Sequence, residues 1–587
     1  MSPCNFTHSS GAARGLTCLD ALTRELMRVT FCLAWLVAQA AHAQPAPDAG
    51  ALDQQRRRDA EQQQLRTAPQ RDVTPDRPAQ DQGKRRGEVL LSVREFRFVG
   101  NTLIPLAELQ VAVAPYIGPG KSLDQLQAAA DAVAAFYRAR GWLARVFLPK
   151  QDVTEGVVTI EIVEARFGTL RLQGADVPRL PQKLIEAMVS AQQATGAPLN
   201  LDAVDRAVLL VDDLPGVGAS SKLEAGEQSG QTNLVMELKR EPVLRGEALL
   251  DNFGATSTGE SRANLNLTAA NPLGLADLWT TALMKSQGSQ SARLAGSLPV
   301  GAHGARLGAN VSMLDYKVIG GEFQAAQAMG AATSAGMELL HPLVRSQSLN
   351  LQAQGGIESR RYRNEVAGAV TSDYELRLWS ATLSGNSFDR LGAGGVNSFL
   401  IGLTFGDVDL QGSPNQAQDA ASARTAGRYT KWRLSVARQQ AFNEEFSALV
   451  SLQAQGANKN LDSSERLYLG GPYGVRAHSA SQGAGDSGSL VNIELRYRLS
   501  PQWSALTFYD HGRVKVYHDA AFTQGTVPLR ISLQGLGLGL NWVGPDGWAA
   551  RMSWARPMGD DHSTTPGGKS VPVKFSDQFW LVLSKGF

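Results

Sequence analysis

The stretch that decides the fold is Leu469-Gly470-Gly471-Pro472-Tyr473-Gly474-Val475-Arg476-Ala477-His478. Its glycines and proline rule out a helix. It carries one arginine, Arg476, among small and apolar residues, between two runs that alternate like membrane strands. A guanidinium near a bilayer is costly without a partner. The stretch therefore reads as a loop folded into the lumen of an outer-membrane β-barrel.

The flanking chain supports a barrel. On one side of the run Val491–Arg498 lie Val491, Ile493, Leu495 and Tyr497, set against Asn492, Glu494, Arg496 and Arg498. Ala263, Leu265, Leu267 and Ala269 separate in the same way from Arg262, Asn264, Asn266 and Thr268. Residues 349–355 and Phe399, Ile401, Leu403 and Phe405 repeat the pattern. Apolar outward and polar inward is the signature of a membrane barrel with a wet lumen. A soluble β-sandwich also alternates, but with a heavier buried face and fewer strands in one array. The alternation begins near residue 243 and runs through Phe579, Leu581 and Leu583 to Phe587. Phe587 therefore ends a strand, and that strand must close on the first or leave a sticky edge.

Composition sets outer bounds. Charged residues make up 19% of 587 residues and the net charge is +2, which argues against a nucleic-acid partner held by bulk charge. Arg24 and Arg28 precede the apolar run Val29–Ala38, and Ala41-His42-Ala43 is a small-residue cleavage pattern. Residues 1–43 are thus predicted to be a secretory signal peptide, with Met27 as a second candidate start. Cys4, Cys18 and Cys32 all fall in this segment, so its removal leaves no disulfide or cysteine–metal site.

Residues 44–88 are polar and proline-bearing. Within them Ala51–Arg66 has good helix propensity and no apolar face. A helix suited to a water-filled passage and a solvated disordered arm fit it equally. Pro69, Pro75 and Pro78 make a linker. Residues 89–167 read as a small α/β module. It has a strand over Val93–Gly100, a helix capped by Ser122 and Gln125, and strands at Trp142–Leu148 and Val157–Val163. Leu123, Leu126, Ala130, Val133 and Tyr137 are its predicted core face. Residues 168–242 repeat the plan, with strands at Thr169–Leu172 and Leu234–Leu238 and a helix capped by Asn200. Gly118-Pro-Gly120-Lys121-Ser122 looks like the end of a phosphate loop, but the required first glycine falls at Pro115. No nucleotide, cofactor or metal site is expected.

On these motifs the chain resembles the two-partner secretion transporters, the haemolysin-activator and adhesin-exporter branch of the outer-membrane assembly-factor superfamily. Phe96-x-Phe98-x-Gly100-Asn101 matches the opening of a first POTRA (polypeptide-transport-associated) domain. Pro149-Lys-Gln151 resembles that branch's Pro-x-Gln signature, and Asp213-Leu-Pro215-Gly216-Val the turn of a second POTRA domain. The resemblance implies an antiparallel transmembrane barrel of about 16 strands (243–587) behind two periplasmic POTRA domains (89–167 and 168–242). It implies that Ala51–Arg66 is a plug helix and that Phe587 is the signal read by the barrel-assembly machinery. The opening stretch becomes the family's sixth-loop motif, Val-Arg-Gly-Tyr, here Val475-Arg476-Ala477-His478. Its arginine pairs in the family with the aspartate of Phe-x-Asp-x-Gly, here Phe508-Tyr-Asp510-His-Gly512. Alanine at 477 is expected to cost where glycine would take a positive φ. His478 reads either as a stacking and hydrogen-bonding substitute for tyrosine or as a surface residue.

The implied partner is a large secreted exoprotein with an N-terminal secretion domain. Outer-membrane lipid, the barrel-assembly machinery and periplasmic chaperones are the further contacts. A barrel-assembly factor shares the architecture, though usually with a different number of POTRA modules, and a passive porin would lack those modules. An outer-membrane hydrolase would need a convergent triad. The eight histidines are scattered, and His511 points away from Asp510 by strand alternation.

Overall fold

The computed structural model describes residues 48–66, 90–174, 180–320, 324–524, 529–559, 563–564, 570–571 and 576–587. The signal peptide and proline linker expected from the sequence lie outside these. Helix α1 spans Ala49–Arg66.

The first α/β module comprises β1 (Leu91–Val93), β2 (Glu95–Val99), α2 (Leu106–Val113), β3 (Gly118–Lys121), α3 (Leu123–Ala139), β4 (Ala144–Phe147) and β5 (Val157–Glu164). Its sheet order is β2-β5-β4, with β2 parallel to β5. Ser122 and Gln125 form the reciprocal capping box that starts α3. Phe96, Phe98, Leu126, Val133, Tyr137, Val158, Ile160 and Ile162 fill the core, each large side chain contributing roughly 1.5–3 kcal/mol. Leu123 is not among them. It opens the first turn of α3 and stays 62% exposed. The glycine-rich 118–121 segment is a strand paired with β1. Gly100 sits at φ +92, where a Cβ would lie 2.2 Å from the Ile162 carbonyl oxygen, so only glycine fits. The Gln151 side chain pairs with β5 just beyond the end of β4. Its Nε2 donates to Thr159 O (2.7 Å) and its Oε1 accepts from Thr159 N (2.6 Å). Pro149 ends the edge strand before it.

The second module repeats the order with β6 (Arg166–Gly174), α4 (Gln182–Gln192), α5 (Leu201–Asp212), β7 (Val217–Ala225) and β8 (Gln231–Arg240), arranged β6-β8-β7. It rests on the periplasmic turns of the barrel. Arg345 clamps Asp213 bidentately at 2.7 and 2.8 Å, and Arg206 donates to Pro342 O at 2.9 Å. The Pro215-Gly216 turn approaches Ala270 and Asn271.

The barrel strands are β9 (Leu244–Asp251), β10 (Arg262–Ala270), β11 (Leu278–Lys285), β12 (Ser289–Val300), β13 (Ala305–Lys317), β14 (Met329–Arg345), β15 (Leu349–Val366), β16 (Ala369–Asp389), β17 (Gly395–Asp409), β18 (Gly427–Ala441) and β19 (Phe446–Ala457). After them a loop, residues 458–486, carries the short pair β20 (Leu467–Tyr468) and β21 (Ala484–Gly485). β22 (Ser487–Arg498), β23 (Trp503–Lys515), β24 (Arg530–Val543), β25 (Trp548–Pro557), the two-residue β26 (Ser563–Thr564) and β27 (Ser570–Val571), and β28 (Gln578–Gly586) complete the chain. Without β20, β21 and the β26–β27 outgrowth, sixteen antiparallel strands close the barrel, with β28 against β9. The outer face is apolar: Trp379 is 65% exposed, and Phe405, Leu538 and Ile493 lie open beside their neighbours, as a lipid-facing wall requires. Phe587 continues the closing ladder, its N donating to Gly246 O at 2.9 Å and its O accepting from Gly246 N at 2.8 Å. Its ring fills the space a Cβ at Gly246 would need.

Candidate functional site

The 458–486 loop is the sixth on the side away from the α/β modules, and it turns back into the lumen. Gly470, Gly471 and Gly474 make the reversal possible. Gly471 takes φ +106, and a Cβ on Gly470 or Gly474 would lie 2.0 Å from the carbonyl oxygens of Ser479 or Leu469. The turn delivers Val475 into an apolar cluster with Leu469, Leu490, Val514 and Leu533. Gly512 on β23 leaves room for Leu469 and Val475. Arg476 follows, almost completely buried.

Arg476 is the hub. Its Nε and Nη2 donate to the two carboxylate oxygens of Asp510, both at 2.8 Å, and its backbone N donates to Asp510 Oδ2 at 3.0 Å. Its Nη1 donates to Glu494 Oε1 at 2.8 Å. The guanidinium carbon sits 3.4 Å from the Phe508 ring centroid, a cation–π contact that fixes its plane. Asn492 donates to Asp510 Oδ1 (2.7 Å) and to Gly474 O (2.9 Å). Arg496 neutralises the other Glu494 oxygen at 2.7 Å. The register explains the assembly, because Asn492 faces Asp510 and Glu494 faces Phe508 across β22 and β23. On the far side, Trp580 of β28 donates its Nε1–H to Arg476 O at 2.7 Å. Tyr473 and Trp580 both meet Phe253 edge-on, with centroids 5.8 Å apart. One residue thus ties the loop to the β22–β23 wall and to the closing strand.

At the loop tip one expectation is corrected and one pair of alternatives is narrowed. Ala477 is not among the positive-φ residues, so alanine carries no backbone strain there. Its constraint is steric, because a Cβ on Gly535 of β24 would lie 2.4 Å from the Ala477 methyl. The glycine that gives this contact room stands on the wall. His478 is buried, with Nε2 3.3 Å from Gln534 O, and is no surface residue. Gly535→Ala is therefore expected to loosen the loop through overpacking of about 1–3 kcal/mol, and adding Ala477→Gly to restore it. Trypsin cleavage at Arg476 on intact cells reads both.

Alternation had placed Asn492 and Glu494 on the lumen face, but nothing in it marked Glu494 as a second partner of Arg476. Trp580, 104 residues beyond Arg476, carried no signal beyond its inward parity.

Helix α1 lies in the same lumen. Arg57 bonds Asp53 (2.7 Å), Glu358 (2.9 Å) and the Ser334 hydroxyl (3.2 Å). Glu61 meets Arg433 at 2.8 Å and Asp59 meets Arg262 at 3.6 Å. Arg58 donates to the carbonyl oxygens of Tyr468 and, at 2.9 Å, Gly470. Gln55 Nε2 donates to Ala480 O at 3.1 Å. Among the described side chains of the helix, Ala49 and Leu52 supply its apolar packing.

A closed barrel filled by a polar helix and an inward loop, behind two α/β modules, defines an outer-membrane transporter. Residues 230–542 match the family described as haemolysin secretion/activation protein ShlB/FhaC/HecB, and residues 91–165 match the ShlB-type POTRA domain. The chain belongs to the ShlB/FhaC/HecB family. It is 26% identical over 568 residues to the heme/hemopexin transporter protein HuxB of Haemophilus influenzae, covering 94% of this chain and 97% of HuxB. It is 24% identical over 447 residues to the outer membrane transporter CdiB of Escherichia coli O6:K15:H31, covering 73% of each. A solved structure of CdiB from Escherichia coli superimposes with a TM-score of 0.69 at 22% identity, covering 93% of this chain and 100% of that one, a shared fold. The protein resides in the outer membrane, with its POTRA region in the periplasm.

Proposed function

We propose that the chain is the transporter of a two-partner secretion pair. It recognises a large exoprotein in the periplasm through its POTRA modules and passes it through the barrel to the cell surface. The supporting observation is the way the lumen is filled. Helix and loop are held mainly by hydrogen bonds and ion pairs that water or a passing polypeptide can replace. We assign residues 1–43 to a signal peptide, 44–88 to plug and linker, 89–167 and 168–242 to the POTRA modules and 243–587 to the barrel. Arg476 and Asp510 hold the resting loop, and Phe587 presents the assembly signal to the barrel-assembly machinery, with periplasmic chaperones escorting the chain there. Surface folding of the exoprotein supplies the driving force, and no catalytic step is required.

Recognition uses strand edges. An extended segment adds main-chain hydrogen bonds to an open edge, and β2 and β7 each have one sheet neighbour. The Gln151 amide covers the β5 edge beyond β4 and steers the segment elsewhere. Deleting residues 89–242 is expected to abolish binding of the exoprotein whose reading frame neighbours this one while leaving an ion-conducting pore. Pull-down and planar-bilayer recordings check the two halves, and binding by the truncated chain would remove the POTRA assignment.

A further inference from the structure

The outward faces of the barrel carry two kinds of charged band above the apolar girdle. On β15–β18 the register sets basic residues opposite acidic ones, beside one like-charge pairing, Glu375 with Asp409. Arg363 faces Asp373, Arg361 faces Glu375, and Asp407 faces both Arg377 and Arg428. Arg361 and Arg363 close ion pairs with Asp373 at 2.9 and 3.4 Å. That band neutralises itself.

The β23–β24 wall does the opposite. Phe508, Asp510, Gly512 and Val514 point inward, so Arg513 and Lys515 point outward. Lys515 lies directly across from Arg530, and Arg513 stands one row below, opposite Ser532. Ser487 and Ser489 of β22 extend the same two rows. Like charges directly opposite on a sheet face repel. Among the described residues none of the three cations is in an ion pair, and Lys515 Nζ donates only to His518 O, at 2.7 Å. Height matters as well. β23 is 13 residues long from Trp503 to Lys515. At ~3.3 Å per residue and a tilt of ~40° this spans ~30 Å, just past an apolar band of ~25 Å. The cations therefore stand at the outer headgroup level, beside hydroxyl donors and above lipid-facing Ile493, Leu536 and Leu538.

We propose that Arg513, Lys515 and Arg530 form a binding site for the phosphate groups of outer-leaflet glycolipid. The phosphate supplies the anion that the Lys515–Arg530 juxtaposition lacks among the described residues, and the acyl chains lie along the apolar wall beneath. Because the site offers cations, it needs no bridging divalent ion.

The test uses the full mature protein in detergent with diphosphoryl lipid A as probe, followed by delipidation and native mass spectrometry. The wild type is expected to retain about one lipid A, with EDTA present or absent. A phosphate-free glycolipid of the same acyl content is expected to wash off at least tenfold more completely. R513Q/K515Q/R530Q should lose retention at least tenfold with normal heat-modifiable migration, whereas R361Q/R377Q should not. Equal retention of the phosphate-free glycolipid, loss of lipid A in EDTA, or full retention by the triple variant would each overturn the proposal. The first two readouts need only the wild-type protein.

Discussion

Arg476→Ala is expected to leave a folded barrel that secretes at least tenfold less exoprotein. The variant strips Asp510 and Glu494 of a shared guanidinium while both stay buried. Removing one partner from a buried ion pair costs about 3–5 kcal/mol. That cost falls on docking of the loop, because the β22–β23 ladder keeps its backbone pairs. Exoprotein in the medium and heat-modifiable migration of the barrel separate loss of function from loss of fold. Normal secretion by this variant would end the loop-lock assignment. The second carboxylate also decides what a charge swap does. Arg476→Asp with Asp510→Arg brings the new Asp against Glu494, so the swap alone is expected to rescue nothing. Adding Glu494→Gln is expected to recover part of the secretion.

Deleting residues 44–66 is expected to raise single-channel conductance severalfold and to leave secretion largely intact. The 18-residue helix is ~27 Å long and, with side chains, ~10 Å wide, enough to obstruct a barrel of this size. Its removal leaves Arg433 to water, while Glu358 keeps Arg360 and Arg262 keeps Asp251 on the wall. Planar-bilayer recordings give the measurement. Unchanged conductance would mean that α1 is not the stopper.

The fold was legible because membrane strands write their two environments into alternate residues. The wall runs from β9 to β28, and Phe587 sits in the closing ladder. The helix was legible only as a propensity. Composition could not separate a lumen helix from a solvated arm because its partners lie far away in sequence, Glu358 being 301 residues beyond Arg57. At the loop the residue types pointed to Arg476 and the family motif to Asp510, but the third member of the cluster looked like any lumen-facing glutamate. The Ala477 expectation failed for a related reason. A glycine missing from the loop reads as backbone strain, whereas the fold meets it with a glycine on the facing strand.

The bond between Arg58 and the sixth loop has an evolutionary consequence. Arg58 grips the carbonyl oxygens of Tyr468 and Gly470, groups that every amino acid supplies alike. At these two bonds helix and loop are therefore matched in shape but not in side-chain identity. Substitutions on the loop that preserve its path leave these two bonds in place. A displacement of the loop backbone, by contrast, breaks both bonds at once. Mutational scans of loop side chains will miss this link, and only changes that move the main chain will reveal it.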